Sequence, residues 1–325
     1  MRFWSPLQPA FASVKAPVDP SSLVARSPRP FYDCTVKRSV LPVPWFTAFA
    51  VLLAACSGDG GQQTSSGTGG NAPISSTPGC KRGVAWAGQQ LVASGASQGL
   101  SWWYNWGARA EPGANGVAFE PMVWGDSFDG DQVSQDILEE SRFLLGFNEP
   151  NFFEQANLSA SEAAQLWPRV QQIAVDHGLG LVSPAVNFCG DDQAKTGPCH
   201  DTNPVDYLAD FFAACQGCQV DHVAVHWYNC DGDSLQWYLG EFKRFGRPIW
   251  LTEFACAYGG DTSPAGQERY MREAVPILEA DPDVYRYAWF SGSPIPEAQL
   301  LTDQGALTPL GEVYVQLPHN DGCSP

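Results

Sequence analysis

Glu149 lies in the block GFNEPN and Glu253 in WLTEFA, each at the end of an otherwise apolar, strand-like run. A carboxyl group in such a setting must find a partner or keep its proton, because burying a bare charge is costly. Two carboxyl groups brought face to face can share the work of glycoside cleavage. One protonates the leaving oxygen, while the other attacks the anomeric carbon or activates water, the two standing ~5 to 5.5 Å apart when configuration is retained. The alternative is that either glutamate is only salt-bridged to a loop arginine. In VDHVAVHWYN, His226 and Tyr228 point the same way along a strand and Trp227 the other. His226 and Tyr228 are therefore candidates to donate hydrogen bonds to a carboxylate on the neighbouring strand. The plainer readings are a satisfied core histidine at His226, and packing as readily as a platform at Trp227.

Such residues need a scaffold that brings distant segments to one face. Between residues 80 and 325, eight short runs rich in β-branched and aromatic residues recur: GVAWAG from Gly83, SWWYNWG from Ser101, FEPMVWG from Phe119, FLLGFNEPN from Phe143, GLVSPAVN from Gly180, VDHVAVHWYN from Val220, RPIWLTEFA from Arg247 and VYRYAWFSG from Val284. Helices are predicted between them over Ser159 to Asp176, with Ser159 and Ser161 as possible N-caps, over Asn203 to Ala214 with Pro204 in the first turn, and over Pro264 to Glu279. Alternating strands and helices imply a parallel sheet, and eight repeats in 246 residues fit an α/β fold of one catalytic domain, the closed (β/α)8 TIM barrel. An open doubly wound sheet is the other arrangement. It normally carries a glycine-rich phosphate turn after its first strand, and GVAWAGQQ has no G-x-G-x-x-G.

The runs begin apolar and end in functional side chains: Asn105 and Trp106, Trp124 and Asp126, Asn148 and Glu149, Asn187, His226 with Trp227 and Tyr228, Glu253, and Trp289. In a barrel these ends converge on the face where active sites lie, with the fourth and seventh strands opposite each other. Tyr104, Trp106, Trp124, Trp289 and Phe290 are placed to stack on sugar faces, whereas Trp102, Trp103, Trp167, Trp237 and Trp250 are expected to pack barrel against helices.

The 325 residues carry 18 Lys plus Arg against 35 Asp plus Glu, a formal net charge of −17, which argues against nucleic acid or an anionic membrane surface as partner. With 12 Trp, 10 Tyr and 18 Phe and only 16% charged residues, the composition suits a globular protein with a neutral polar ligand such as a sugar. No P-loop, Rossmann turn or metal-ligand cluster appears, so no cofactor is expected; zinc on Cys215, Cys218 and His222 is the weak rival.

Residues 1–35 are proline-rich without apolar periodicity and read as an extension that is not part of the cellular protein, with translation starting near Val36, or else as a disordered extension. Lys37 and Arg38 precede the short apolar run WFTAFAVLLAA, an export signal over 36–55. Its end, Leu53-Ala54-Ala55-Cys56, resembles the lipobox of bacterial lipoproteins, which makes Cys56 the lipidated residue, with a plain secreted protein as alternative. Residues 56–79 are a Gly/Ser-rich flexible tether, and 80–325 are the barrel. Without residues 1–55 the chain has 12 basic and 33 acidic residues, a charge of −21. Setting aside Cys34 and Cys56 leaves an even set of eight cysteines, as export to an oxidising compartment requires. The expected pairs are Cys189 with Cys199, Cys215 with Cys218, Cys230 with Cys256, and Cys80 with Cys323.

The eight blocks in this order are similar to glycoside hydrolase family 128, the glycosyl hydrolase catalytic core group of endo-β-1,3-glucanases, in the clan of retaining (β/α)8 glycosidases; the similarity covers residues 80–318. The resemblance implies that Glu149 is the general acid/base, Glu253 the nucleophile, Asn148 a contact to the sugar 2-hydroxyl, and β-1,3-glucan the substrate. Glu149 then needs a raised pKa and Glu253 hydrogen bonds that favour its charge. The cysteine-bearing insert from Cys189 to Cys199 and the cysteines beside strands six and seven depart from the family's pattern. The expectation is a lipid-anchored, monomeric, retaining endo-glucanase. Its alternatives are a non-catalytic glycan-binding lipoprotein on the same barrel and a glycosidase for another β-glucan linkage.

Overall fold

A computed structural model of the chain describes residues 80–86, 99–110, 117–190, 198–302 and 306–320. The extension, signal, tether and lipidation site assigned to residues 1–79 lie outside these residues.

Eight parallel strands follow the eight predicted runs: β1 Arg82–Ala85, β2 Trp102–Tyr104, β3 Ala118–Phe119, β4 Phe143–Leu145, β5 Gly180–Val186, β6 His222–Asn229, β7 Ile249–Tyr258 and β8 Val284–Phe290. Their hydrogen-bonded order is β3-β2-β1-β8-β7-β6-β5-β4. The sheet closes on itself where Met122 bridges Leu145 in parallel, the Val123 N–H donating to Leu145 O at 3.0 Å and the Leu145 N–H to Pro121 O at 2.8 Å. The result is a (β/α)8 barrel. β3 is shorter than its run predicts because Pro121 has no N–H to give a ladder.

Both faces of the strands are covered, which is why β5, for instance, is buried at every position and reads as an unbroken run rather than an alternation. Helices between the strands form over the three predicted ranges. Ala160–His177 is capped by Ser159, whose hydroxyl accepts from the Glu162 N–H while Glu162 reaches back to the Ser159 N–H; Ser161 is inside the helix. Pro204–Ala214 follows an Asn203 cap, and Pro264–Ala280 a Ser263 cap. Trp102, Trp103, Trp167 and Trp250 are fully buried as expected, but Trp237 is 57% exposed. On the helix Gly232–Phe242 the buried stripe is Leu235, Tyr238, Leu239 and Phe242, and Trp237 stands off it.

The layer at the strands' N-terminal ends is filled by one cation in an aromatic cage. Arg286 lies 4.8 Å from the Trp250 ring centroid and 5.1 Å from that of Phe143, and its Nη1 is 2.6 Å from Glu120 Oε1. The other oxygen of Glu120 accepts the backbone N–H groups of Arg142 and Phe143 at 3.0 and 2.8 Å, so this buried charge is satisfied on both sides. Below the barrel, Arg82 donates to Tyr287 Oη at 3.1 Å and to the carbonyls of Tyr314 and Pro318 at 2.7 Å each. Lys81 donates to the carbonyls of Leu278, Glu279 and Asp281, which end the helix Pro264–Ala280.

Disulfides join Cys189 to Cys199, Cys215 to Cys218, and Cys230 to Cys256. Cys215 and Cys218 are therefore not thiolate ligands. Cys80 is also disulfide-bonded, and its expected partner Cys323 lies outside the described residues.

Candidate active site

The C-terminal strand ends meet at two carboxylates. Glu149 follows β4, where Gly146 lets the chain press against β5: a Cβ there would come within 2.9 Å of the backbone of Ser183 and Pro184. Glu149 then takes a left-handed φ of 39°, which costs a non-glycine residue energy and aims its side chain into the barrel mouth. Its N–H donates to Ala185 O at 2.8 Å, fixing the turn. Asn187 Nδ2 donates to Glu149 Oε1 at 3.1 Å, and His226 Nδ1 lies 2.9 Å from the same oxygen.

Glu253 on β7 accepts more bonds. Tyr104 Oη donates to Oε1 at 3.0 Å, Trp106 Nε1 to Oε1 at 2.6 Å, and Tyr228 Oη to Oε2 in a short bond. His226 Nδ1 is 3.1 Å from Oε2, so one ring nitrogen faces both carboxylates. One oxygen from each glutamate and the His226 nitrogen all lie within 4.8 Å of one another. That spacing would also suit a cation, but three protons on Glu253 already occupy its oxygens, an arrangement that holds an anion by hydrogen bonding.

Burial sets the electrostatics. Glu149 and Glu253 are 5% and 4% exposed. Burial pushes the Glu253 carboxyl above its ordinary range, as does the Glu149 charge, while His226 and the bonds from Tyr228 and Trp106 pull it back; the net direction is up. Burial alone would lower His226, but the Glu253 charge and the hydrogen bond to Glu149 outweigh it and raise its pKa. Burial and then the Glu253 charge lift the phenols of Tyr104 and Tyr228 well above their usual value, so both stay protonated donors. The bonds expected to favour the Glu253 charge are present, against a burial that opposes it.

The other expected site residues divide. Asn148 is buried, its Nδ2 donating to Gln155 Oε1 at 3.3 Å and its Oδ1 without a partner among the described residues. Trp227 packs outward, 4.5 Å between centroids from Tyr238, so it is not a platform. Tyr104 is fully buried and serves as a donor to Glu253, not as a stacking face. Asn105 spends its amide on its own loop, donating to Arg109 O and accepting from the Gly107 N–H, and does not reach the carboxylates. Trp124 is partly buried, and its carbonyl accepts the Asn148 N–H at 2.9 Å.

Trp289 is not at the mouth. It is fully buried, 5.0 Å between centroids from Phe254, and its Nε1 donates to Ala298 O at 2.8 Å. Phe290 holds the inward position instead, 5.7 Å between centroids from both Trp106 and Tyr228. Trp289→Ala should therefore cost about 3–5 kcal/mol of stability, seen in the midpoint of thermal unfolding, with ligand affinity at the mouth unchanged. A weakened ligand with an unaltered midpoint would return Trp289 to the site.

Two residues outside the expected set follow strand ends. Trp86 directly follows β1, and its indole N–H is buried with no partner among the described residues. Its place at the end of the first run was the signal, the same one that marks Glu149 and Glu253. Phe153, four residues after Glu149, is 47% exposed.

The chain matches the family model described as glycosyl hydrolase catalytic core over residues 83–314. It is 43% identical to an endo-β-1,3-glucanase of glycoside hydrolase family 128, subgroup II, from Sorangium cellulosum, with a TM-score of 0.64, covering 74% of this chain and 99% of that one. A subgroup I endo-β-1,3-glucanase from Amycolatopsis mediterranei, solved with laminaritriose, is 31% identical with a TM-score of 0.59 over 73% of this chain and 99% of that one. Alkali-sensitive linkage protein 1 of Schizosaccharomyces pombe is 31% identical over 255 residues, 72% of this chain; the match spans 44% of that protein's length. With its eight-stranded barrel and paired glutamates, the chain belongs to glycoside hydrolase family 128.

Proposed function

We propose that this protein is a retaining endo-β-1,3-glucanase. The observation that carries the reading is the approach of the Glu149 and Glu253 oxygens to within 4.8 Å, close to the ~5 to 5.5 Å of a double displacement and too close for the water that inversion needs. The linkage is taken from the relatives named as endo-β-1,3-glucanases.

In the first step Glu149 gives its proton to the glycosidic oxygen as Glu253 attacks the anomeric carbon. The carbon–oxygen bond to the leaving chain breaks, and an ester to Glu253 forms. In the second step the Glu149 carboxylate takes a proton from water, the oxygen of that water attacks the anomeric carbon, and Glu253 leaves as the carboxylate. Tyr104, Trp106 and Tyr228 stabilise the charge of Glu253 before attack and again on release. Having given up its proton in the first step, Glu149 is the carboxylate that serves as base in the second. Asn148, with an unpartnered buried oxygen, is available to a sugar hydroxyl.

The test is hydrolysis of linear β-1,3-glucan by the full chain, with products sized over time and the new reducing end followed by NMR. Mid-length oligosaccharides appearing first with the β anomer establish retaining endo-cleavage. Cleavage only of another β-glucan moves the linkage, and binding without cleavage turns the barrel into a glycan receptor.

We further infer export as a lipoprotein anchored through Cys56, on the strength of the basic pair, the apolar run and the Leu-Ala-Ala-Cys that ends it. Cys56→Ala should abolish incorporation of labelled palmitate. The net charge favours a neutral glycan over nucleic acid as partner.

A further inference from the structure

β7 departs from regular pairing where it carries Glu253. Against β6 the ladder runs Val225 to Leu251 and then His226 to Glu253, and against β8 it runs Leu251 to Tyr287 and then Phe254 to Trp289. One extra residue is accommodated on β7 towards each neighbour, at Thr252 and Glu253. Farther out Trp227 pairs with Phe254 and Asn229 with Tyr258, leaving Ala255, Cys256 and Ala257 opposite Tyr228 alone. Bulges re-aim side chains, and they do so at the cost of the ladder bonds that hold a strand in place. Something other than the sheet must fix this segment.

Two contacts converge on Cys256, three residues past Glu253. Its sulfur is bonded to Cys230, two residues past Tyr228. Its N–H donates to Gln267 Oε1 at 3.0 Å, and its carbonyl accepts from Gln267 Nε2 at 2.5 Å. Gln267 is fully buried on the helix Pro264–Ala280, and its carboxamide offers the same donor and acceptor pair that a peptide unit of an adjoining strand would.

We propose that Gln267 and the Cys230–Cys256 disulfide are positioning residues for the nucleophile: together they replace the interrupted ladder and hold Glu253 on the strand register that lets it meet Tyr228, Trp106 and His226. The inference rests on the glycosidase reading above. It assigns the cysteines beside β6 and β7 to turnover and not only to resistance against unfolding.

The experiment compares wild type, Gln267→Met, Cys230→Ser with Cys256→Ser, and, as control, Cys215→Ser with Cys218→Ser. The readouts are kcat and KM on β-1,3-glucan and the rate at which a fluorinated laminaribiosyl fluoride traps Glu253, with kcat expressed per trapped site so that unfolded protein drops out. Misplacing a reacting group by ~1 Å can cost 10²-fold, so Gln267→Met and the Cys230/Cys256 pair should lose ~10- to 100-fold in kcat and in trapping rate. KM should stay near wild type, and the Cys215/Cys218 pair should keep wild-type kcat. Gln267→Met retains the disulfide and carries the test if the serine pair does not fold. Wild-type kcat in Gln267→Met would overturn the proposal, as would a kcat loss in the Cys215/Cys218 control equal to that in the Cys230/Cys256 pair. A wild-type protein that neither cleaves glucan nor traps the reagent would instead remove the glycosidase reading.

Discussion

Glu253→Ala should lose ~10³-fold or more in kcat, because removing a nucleophile collapses a set of groups that act as a unit. Added azide should restore turnover by entering the space left by the carboxylate, and it should release a glycosyl azide of inverted configuration, since only one displacement then takes place. The structure sharpens the expectation. Tyr104, Trp106 and Tyr228 all direct protons at the missing carboxylate, with His226 Nδ1 3.1 Å from its place, so the variant keeps a ready-made anion site lined by donors. The rescue should therefore be selective for small anions, and its inverted product should set it apart from Glu149 variants, in which azide would attack the glycosyl-enzyme and retain configuration. Turnover at the wild-type rate with retained configuration would refute the role of Glu253.

Glu149→Gln should lose ~10²- to 10⁴-fold on glucan, the range that positioned proton transfer supplies. The loss should depend on the leaving group. A glucan leaves as an alkoxide and needs the proton, whereas an activated aryl glycoside departs without it, so formation of the glycosyl-enzyme from an aryl substrate should be nearly intact while its hydrolysis is slow. A burst of phenol followed by a slow steady state is the signature in stopped-flow absorbance. Glutamine keeps the shape and can still accept from Asn187, so the change isolates the proton from the packing. An equal loss on glucan and aryl substrate, without a burst, would mean that Glu149 does not act as the acid.

How much of this is written in the chain varies by element. The strand blocks announce themselves because both faces of each strand are buried, and the helices because Ser159, one of the two expected N-caps, begins the first of them and Pro204 stands in the first turn of the next. The two glutamates were legible for the same reason: each breaks an apolar run at the end where a barrel opens. What the chain does not display is rotation. Trp289 and Phe290 are adjacent aromatics on one strand, and which faces inward depends on the phase of pairing with β7, where extra residues interrupt the count. Trp106 reaches Glu253 only because its backbone adopts φ 62°, a conformation that no residue preference assigns to tryptophan. The position of Tyr104 at a strand end predicts a sugar platform, yet its hydroxyl, not its ring face, meets the site. Trp237 is expected to pack barrel against helix, and only the position of the buried stripe on its helix shows otherwise.

The latch beneath the barrel sets the timing of all this. Arg82 binds Tyr287 and the Tyr314 carbonyl, 205 and 232 positions away, and β1 gains its second neighbour only when β8 exists. A ribosome delivering the chain from its N-terminus must release nearly all of it before the ring can shut, and contacts so distant in sequence make that step slow. Tyr104 and Trp106 reach Glu253 from 149 and 147 positions earlier in the chain, so the carboxylate gains these two donors only when β1 and β2 join β8 and β7.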